Sequence, residues 1–426
     1  MARKMKDSGI EWIGKIPEGW EITKIKHIVS SVTDIDHFMP DSAEFGIPYL
    51  MIGDLKDLSS SIDWDSSKKI SIEDYKKLSI KSRPQIGDII FARYASIGTT
   101  CYIDTDRDFL VSYACLTIHP SDLIIGKFLS YYLKSSSFAE DVLRRTNSNT
   151  QGNVGKDSLV NATIVLPSII EQTQIVNFLD AKCSDINAML SKTRSSIEEY
   201  KKLKQAVITQ AVTKGVRGER EMKDSGVEWI GKVPSKWNCI KIKYLFEIRK
   251  RIAGKEGYTV LSITQTGIKP KNISSNEGQL ADSYSNYQLL HFGEFAMNHM
   301  DLLTGWVDIS NYNGVTSPDY RVFSLKDTIT NHPRYFLYLM QMCYFNRIFY
   351  SMAQGVSNLG RWRLQSDKFL NCIFPVPSIE EQKEISDYLD TTCSEIDKLI
   401  AKKEQLVKEL ESYKKEDLQE LAKQLG

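Results

Sequence analysis

Nothing in this 426-residue chain approaches the roughly 20 consecutive apolar residues needed to span a bilayer. The basic N-terminus, MARKMKDSGIEWIG, has no apolar core of signal-peptide length. Export and membrane residence are therefore not expected, and the chain reads as cytoplasmic. Cysteine is scarce: seven residues, an odd number, are scattered without a CxxC pair. That argues against a disulfide framework and against a cysteine-rich zinc site. The six histidines show no HExxH and no metal-ligand spacing, so no metal is expected. An excess of positive charge is missing too, because the formal net charge is only +1. A nucleic-acid binder of this composition must gather its lysines and arginines at one surface. Charge alone neither supports nor excludes such a role.

Catalytic signatures are equally sparse. The chain has no GxxxxGK[ST] phosphate loop, no GxGxxG strand–helix turn and no GxSxG elbow. Adenine methyltransferases carry an Asn/Asp-Pro-Pro-aromatic motif; Ser317-Pro318-Asp319-Tyr320 is only a loose echo of it. No set of acid, base and nucleophile can be assembled. The expectation is a non-catalytic protein with no cofactor of its own.

What is present is a duplication. MKDSGIEWIGKIPEGW, Met5 to Trp20, returns as MKDSGVEWIGKVPSKW, Met222 to Trp237, with twelve of sixteen positions identical and an offset of 217. LPSIIEQTQIVNFLDAKCSDI, from Leu166, matches VPSIEEQKEISDYLDTTCSEI, from Val376, at an offset of 210. Each copy thus has a fixed opening, a variable block and a fixed helix entry. A period this long means a duplicated domain rather than a solenoid. Matching ends imply one docking task done twice, and dissimilar middles imply two targets.

The closing segments predict helices. Pro167 and Pro377 set a boundary, Ser168 and Ser378 are N-cap candidates, and Glu171 and Glu381 follow three residues later. Beyond them Leu179, Cys183, Ile186, Leu190, Ile197, Tyr200, Val207 and Ala211 alternate in steps of three and four, a coiled-coil seam. Leu389, Cys393, Ile396, Ile400, Val407, Leu410 and Leu421 repeat it, with Lys403 and Lys414 as polar breaks. One such helix would be expected to pack on its own domain. Two matching seams point to the helices packing on each other. The glycine-broken, charged TKGVRGEREMKDSG between the copies reads as a linker.

The variable blocks, about 21–160 and 238–370, mix short β-rich runs with turns and read as two α/β globules of similar plan. GDIIFARYASIG at 87–98 and GEFAMNHMDLLTG at 293–305 open alike. Late in each block lies a polar, glycine-containing stretch: RRTNSNTQGNVGK, Arg144 to Lys156, and QGVSNLGRWR, Gln354 to Arg363. Arg, Lys, Asn and Gln offer donor and acceptor pairs to base edges, and Ser and Thr reach phosphates. An ordinary surface loop has the same composition, but a pair at matching positions favours recognition.

These motifs together resemble the specificity subunits of type I restriction–modification systems. The resemblance rests on KDSGxEWIGKxPxxW, on [LV]PSIxEQxxIxxxLD…C, and on GEFAMNHMDLLTGWVDIS…GVTSPDYRVFSL with GVSNLGRWRLQSDKF; it covers essentially the whole chain. It implies a mixed α+β fold with two α/β target-recognition domains separated by two long antiparallel coiled-coil helices in a pseudo-two-fold internal repeat. It also implies an interrupted, asymmetric double-stranded DNA target. The partners implied are two modification (methyltransferase) subunits and two restriction (endonuclease/translocase) subunits, with S-adenosylmethionine, ATP and Mg on those partners.

The expected division is an opening segment and first recognition domain over 1–165, a spacer helix over 166–213 and a linker over 214–226. A second opening and recognition domain over 227–375 and a second spacer helix over 376–426 complete it. DNA-facing candidates are Arg93, Tyr94, Asn149, Gln151, Asn153 and Lys156 in the first block, and Asn298, His299, Asn358, Arg361 and Arg363 in the second. Trp12 and Trp229 hold equivalent places in the openings, as partner anchors or as buried staples. The rivals are an unrecognised enzyme in one block and a two-headed protein-binding scaffold without DNA specificity. Absence of activity with S-adenosylmethionine, ATP and magnesium would count against the first. A basic face on each head would count against the second.

Overall fold

The computed structural model describes residues 3–145, 154–272, 281–353 and 363–424, with side chains as far as 413. The chain divides into two compact units, Met1–Thr193 with Leu406–Gly426, and Arg194–Gln405. Each holds one head and parts of both long helices.

The repeated openings fold alike because their sequence does. Met5–Asp7 pairs with Lys15–Pro17, and Met222–Asp224 with Lys232–Pro234, each across a turn that runs through glycine. The strand that follows each opening closes its block by pairing with the strand before the long helix. Glu21–Lys24 runs antiparallel to Thr163–Leu166, and Asn238–Lys241 to Ile373–Val376. Both ends of each variable block are thereby tied at one place, and the interior can differ.

At the centre of each head is a four-stranded antiparallel sheet. In the first its order is Val29–Thr33, Cys115–Pro120, Ile89–Ala92, Thr100–Tyr102. In the second it is Phe246–Arg249, Arg321–Leu325, Phe295–Met297, Val307–Ile309, the same topology. Ile89, Ile90, Phe91, Phe295, Ala296 and Met297 are all buried, consistent with central strands covered on both faces. The heads differ in their additions. The first carries a three-stranded sheet of Lys68–Ile70, Ile47–Leu50 and Leu110–Val111; the second carries two two-stranded sheets, Leu261–Thr264 with Gly267–Pro270 and Gln288–Leu290 with Gly314–Thr316.

The long helices run Ile169–Lys214 and Ile379–Gln424, 46 residues each. At 1.5 Å per residue that is about 69 Å. The cap is formed as its sequence requires. Ser168 Oγ accepts from the Glu171 amide at 3.4 Å, and the Glu171 carboxylate accepts from the Ser168 amide at 3.2 Å. Every described seam residue is buried or half-buried. In the second unit the two helices pack antiparallel: Lys204 binds Asp397 at 2.7 Å, and Lys403 lies over Tyr200 at 5.7 Å. Their seams also enter the head, where Ile208, Ala211 and Val212 share one core with Ile385, Leu389 and Cys393. In the first unit Ile175 and Leu179 join the core of Phe91, Leu116 and Phe128 in the same way. Packing between helices and packing on a head are thus one arrangement rather than alternatives.

The charged segment between the copies is fastened down. Arg217 binds Glu384 at 2.8 Å, and Arg220 pairs with Glu381. Among the described residues no helix is long and apolar enough to cross a membrane, and no cluster of three or more His, Cys, Asp or Glu could hold a metal.

Candidate nucleic-acid interface

In each head the central strand that begins GDII or GEFA ends in a turn, and the residue two before the short helix Lys156–Asn161 or Ser366–Asn371 is tied to that turn. The Val154 amide donates to Arg93 O at 3.0 Å, and the Leu364 amide donates to His299 O at 3.0 Å. Val154 and Leu364 are themselves buried, at 2% and 0% exposure, so both are anchors. The two halves therefore bring together the same two segments at the same place. The turns need glycine: a Cβ on Gly305 would lie 2.0 Å from Asp301 O, and Gly98 adopts φ +90°.

Of the candidates in the first head, Tyr94 is exposed and Lys156 lies exposed at the start of the helix Lys156–Asn161. Arg93 is more committed. Its guanidinium pairs with Asp34 at 3.4 Å and lies over the Tyr94 ring at 5.5 Å, with its side chain only 17% exposed. Arg144 and Arg145, at the entry to the polar stretch, bind Glu140 and Asp141. Asn149, Gln151 and Asn153 lie outside the described residues, as do Asn358 and Arg361.

In the second head Arg363 is exposed and Asn298 half-buried. The Asn298 backbone is gripped on both sides: its amide donates to Trp306 O at 2.9 Å, and its carbonyl accepts from Tyr344 Oη at 2.9 Å. His299 departs from the expected DNA-facing role. Its side chain is turned inward, 6% exposed, with Nδ1 unpartnered. Burial, with Arg321 and Arg363 nearby, pushes its pKa down to about 3, so the ring is neutral. A strand followed by a turn does not reveal in sequence which of two successive residues points out. Arg321 lies beneath the same spot, 3% exposed, donating to Leu364 O at 2.9 Å and to Ser366 Oγ at 3.2 Å, and stacked over Phe369 at 4.7 Å. Sequence reading passed over it, because an arginine inside a strand looks like an ordinary surface residue.

Trp12 and Trp229 are half-buried against the cores of their own heads. Trp12 lies under the Arg144 guanidinium at 4.5 Å, and Trp229 meets Phe374 edge-on at 6.2 Å. The more telling pair is Trp20 and Trp237, at 4% and 1% exposure. Their indoles donate to Glu171 at 3.3 Å and Glu381 at 3.0 Å, and Arg3 and Arg220 cover both ring and carboxylate. The next residue completes the clip. Gln172 accepts from the Ile125 amide at 2.8 Å and donates to Leu123 O and Pro167 O; Gln382 does the same with His332, Thr330 and Pro377. The repeated Glu-Gln is thus a structural clip between opening, head and helix. Burial works against the Glu171 charge, but hydrogen bonds from Ser168, Trp20 and Arg3 together outweigh it and hold the carboxyl below its ordinary pKa.

A second surface lies on the outer faces of the long helices. In the first unit Phe178 and Met189 are exposed at 37% and 56%; in the second Tyr388 and Leu399 are exposed at 44% and 41%. These are the same positions of the repeat, offset by 210. A spacing of eleven is close to three turns, so each pair follows one helix face.

Comparison with known proteins matches residues 17–199 and 234–409 to the type I restriction modification DNA specificity domain. The MjaVIII specificity subunit of Methanocaldococcus jannaschii is 22% identical over 418 residues, 94% of this chain and 91% of that one. A putative MjaX specificity subunit from the same organism is 28% identical over 239 residues, and the chain spans about half of its length, 53%. The EcoKI specificity subunit of Escherichia coli K12 is 22% identical over 315 residues, 71% of this chain and 63% of that one. Among solved structures, a chain from a study of assembly and conformational transition in the type I system gives a TM-score of 0.67 at 15% identity, covering 95% of this chain and 97% of its own length. The HsdS subunit from Thermoanaerobacter tengcongensis gives 0.52 at 15% identity, covering 96% and 97%. At these identities the structures speak to fold.

Proposed function

Since this chain belongs to the family of type I restriction–modification DNA specificity subunits, we propose that its two heads read the two halves of one interrupted, asymmetric double-stranded DNA target. The observation that supports this is a matched pair of ties. Val154 bound to Arg93 O and Leu364 bound to His299 O fasten equivalent turns of equivalent sheets to the chain at the end of each polar stretch. The side chains presented there differ, so the two half-sites differ and the target is not palindromic.

The DNA-facing side chains we assign are Arg93, Tyr94, Asn149, Gln151, Asn153 and Lys156 in the first head, and Asn298, Asn358, Arg361 and Arg363 in the second. A base-reading arginine discriminates by bidentate donation to guanine. A lysine such as Lys156 serves the phosphates and contributes to affinity without reading sequence. Heads on one face of a duplex meet it at intervals of about 34 Å. Helices of about 69 Å are long enough to act as the ruler between them.

The chain carries no catalysis of its own; as a specificity subunit it positions partners. The apolar pairs Phe178 with Met189 and Tyr388 with Leu399 are the docking faces we assign to two identical modification subunits, one on each copy of the repeat. Two restriction subunits would join that core. S-adenosylmethionine, ATP and Mg would be held by those partners, in the cytoplasm where the DNA is.

Mapping adenine methylation in genomic DNA from the source cell, with and without this gene, tests the reading. Loss of methylation at one interrupted motif is the expected result. An unchanged methylome, with the partner subunits expressed, would refute it and favour a scaffold whose heads hold proteins.

A further inference from the structure

Each head is bolted to its long helix at a second point beyond the buried glutamine, and we propose that this second bolt, centred on Asp180 and Asp390, holds the head's tilt on the helical ruler and so determines how strictly the protein keeps to one half-site separation. The inference rests on the two-headed DNA reading above. In the first unit Asp180 receives Lys127 Nζ at 2.8 Å and Tyr131 Oη at 2.6 Å. In the second Asp390 receives Arg334 Nε at 2.8 Å and Tyr338 Oη at 2.6 Å. Both carboxylates stand at one position of the repeat, offset by 210, and both donor pairs lie four residues apart on a head helix.

The heads share little sequence between their fixed ends, and the cation changes from lysine to arginine. The carboxylate–cation–phenol arrangement is nevertheless built twice. Packing alone would not require it, since Ile175 and Leu179, like Ile385 and Leu389, already supply apolar contact nearby. Hydrogen bonds add direction, which apolar contact lacks. The glutamine clip by itself is a pivot. Asp180 lies eight residues beyond Gln172, and Asp390 eight beyond Gln382, a lever of about 12 Å along the helix. Two fixed points define a head's tilt where one does not, and successive base pairs are only about 3.4 Å apart.

The bolt is also partly open to solvent. Asp180 and Asp390 are 35% and 43% exposed, whereas Gln172 and Gln382 are fully buried. Removing the bolt should therefore alter tilt without unfolding the head. Asp180 and Asp390 are positioning residues on this account; neither touches a base.

The test uses the full chain assembled with its modification subunits and S-adenosylmethionine. Duplexes keep both half-sites fixed and vary the gap between them by one or two base pairs. Asp180→Asn and Asp390→Asn should each lower the preference for the native gap over its neighbours by about fivefold, the scale of a partly exposed ion pair. The base preferences of both half-sites should be unchanged. Tyr131→Phe and Tyr338→Phe remove the phenol's hydrogen bond to the carboxylate while keeping the ring, and should move the gap profile in the same direction. An unaltered gap profile in these phenylalanine variants and in asparagine variants that melt like wild type would overturn the proposal. So would altered base preference with an unaltered gap profile. If wild type itself shows no dependence on the gap, the two-headed reading fails first, which separates the two failures.

Discussion

The two heads share a frame and differ in the surface they place on it. Both centre on a four-stranded sheet of one order, and both clip their helix through Trp, Glu, Arg and Gln at matching positions. Around the recognition turns they diverge. The first head holds Arg93 against a carboxylate, Asp34, and the arginines of its polar stretch against Glu140 and Asp141. In the second, Arg321 beside the buried His299 is held by a carbonyl and a hydroxyl, Leu364 O and Ser366 Oγ, and packs over Phe369. Sequence is retained where each head meets the helices and released where it meets its target. A chain so divided can change what it recognises without changing how it assembles.

Truncating the clip residues should destabilise each head most. Trp237→Ala removes a fully buried ring and should cost about 3–5 kcal/mol, with Trp20→Ala in the same range; thermal melting of each variant checks this. Equal losses support one frame used twice. A negligible loss in either copy would show that its clip is ornamental. Gln172→Ala and Gln382→Ala come next, at about 1–3 kcal/mol, because each strands buried backbone groups that the amide now satisfies.

At the surface the expected difference lies in binding. Arg363→Ala should weaken binding by about 1–3 kcal/mol if it reads a base, and relax one position in one half-site only. Arg93→Ala should do the same in the other half-site. Its effect should be the smaller, since freeing Arg93 from Asp34 already opposes binding. Competition binding with duplexes altered in one half at a time checks both. The least effect concerns pH. The carboxyl of Glu171 titrates below its ordinary value in the folded protein, so the stability it contributes is present above the unfolded carboxylate pKa and lost as pH falls through the folded one. Glu171→Gln should flatten the decline of melting temperature in that acid range, and an unchanged slope would remove the clip's charge from the account.

Much of the frame was legible in the chain itself. Repeated openings gave the duplication, and Ser168 with Glu171 marked the helix start that the structure shows. The seam from Leu179 to Ala211 marked the buried helix face. The functions of the repeated residues were harder to see. Glu171 looked like a cap alone, because its partner Trp20 and the Gln172 partners Leu123 and Ile125 come from distant segments. Asp180 and Asp390 were visible only as part of a shared Leu-Asp, since sequence does not show which helix faces them. The burial of His299 was not legible, because a strand that gives way to a turn leaves the direction of successive side chains open. Phe178 and Tyr388 went unremarked for the opposite reason: they fall outside the seam, where apolar residues carry no periodic signal of their own.

The most direct test of a two-headed reader exchanges one variable block, residues 21–160, for the corresponding block of another family member and maps the methylated motif of the hybrid. A motif altered in one half and unaltered in the other is expected. A motif altered in both halves, or in neither, would contradict it.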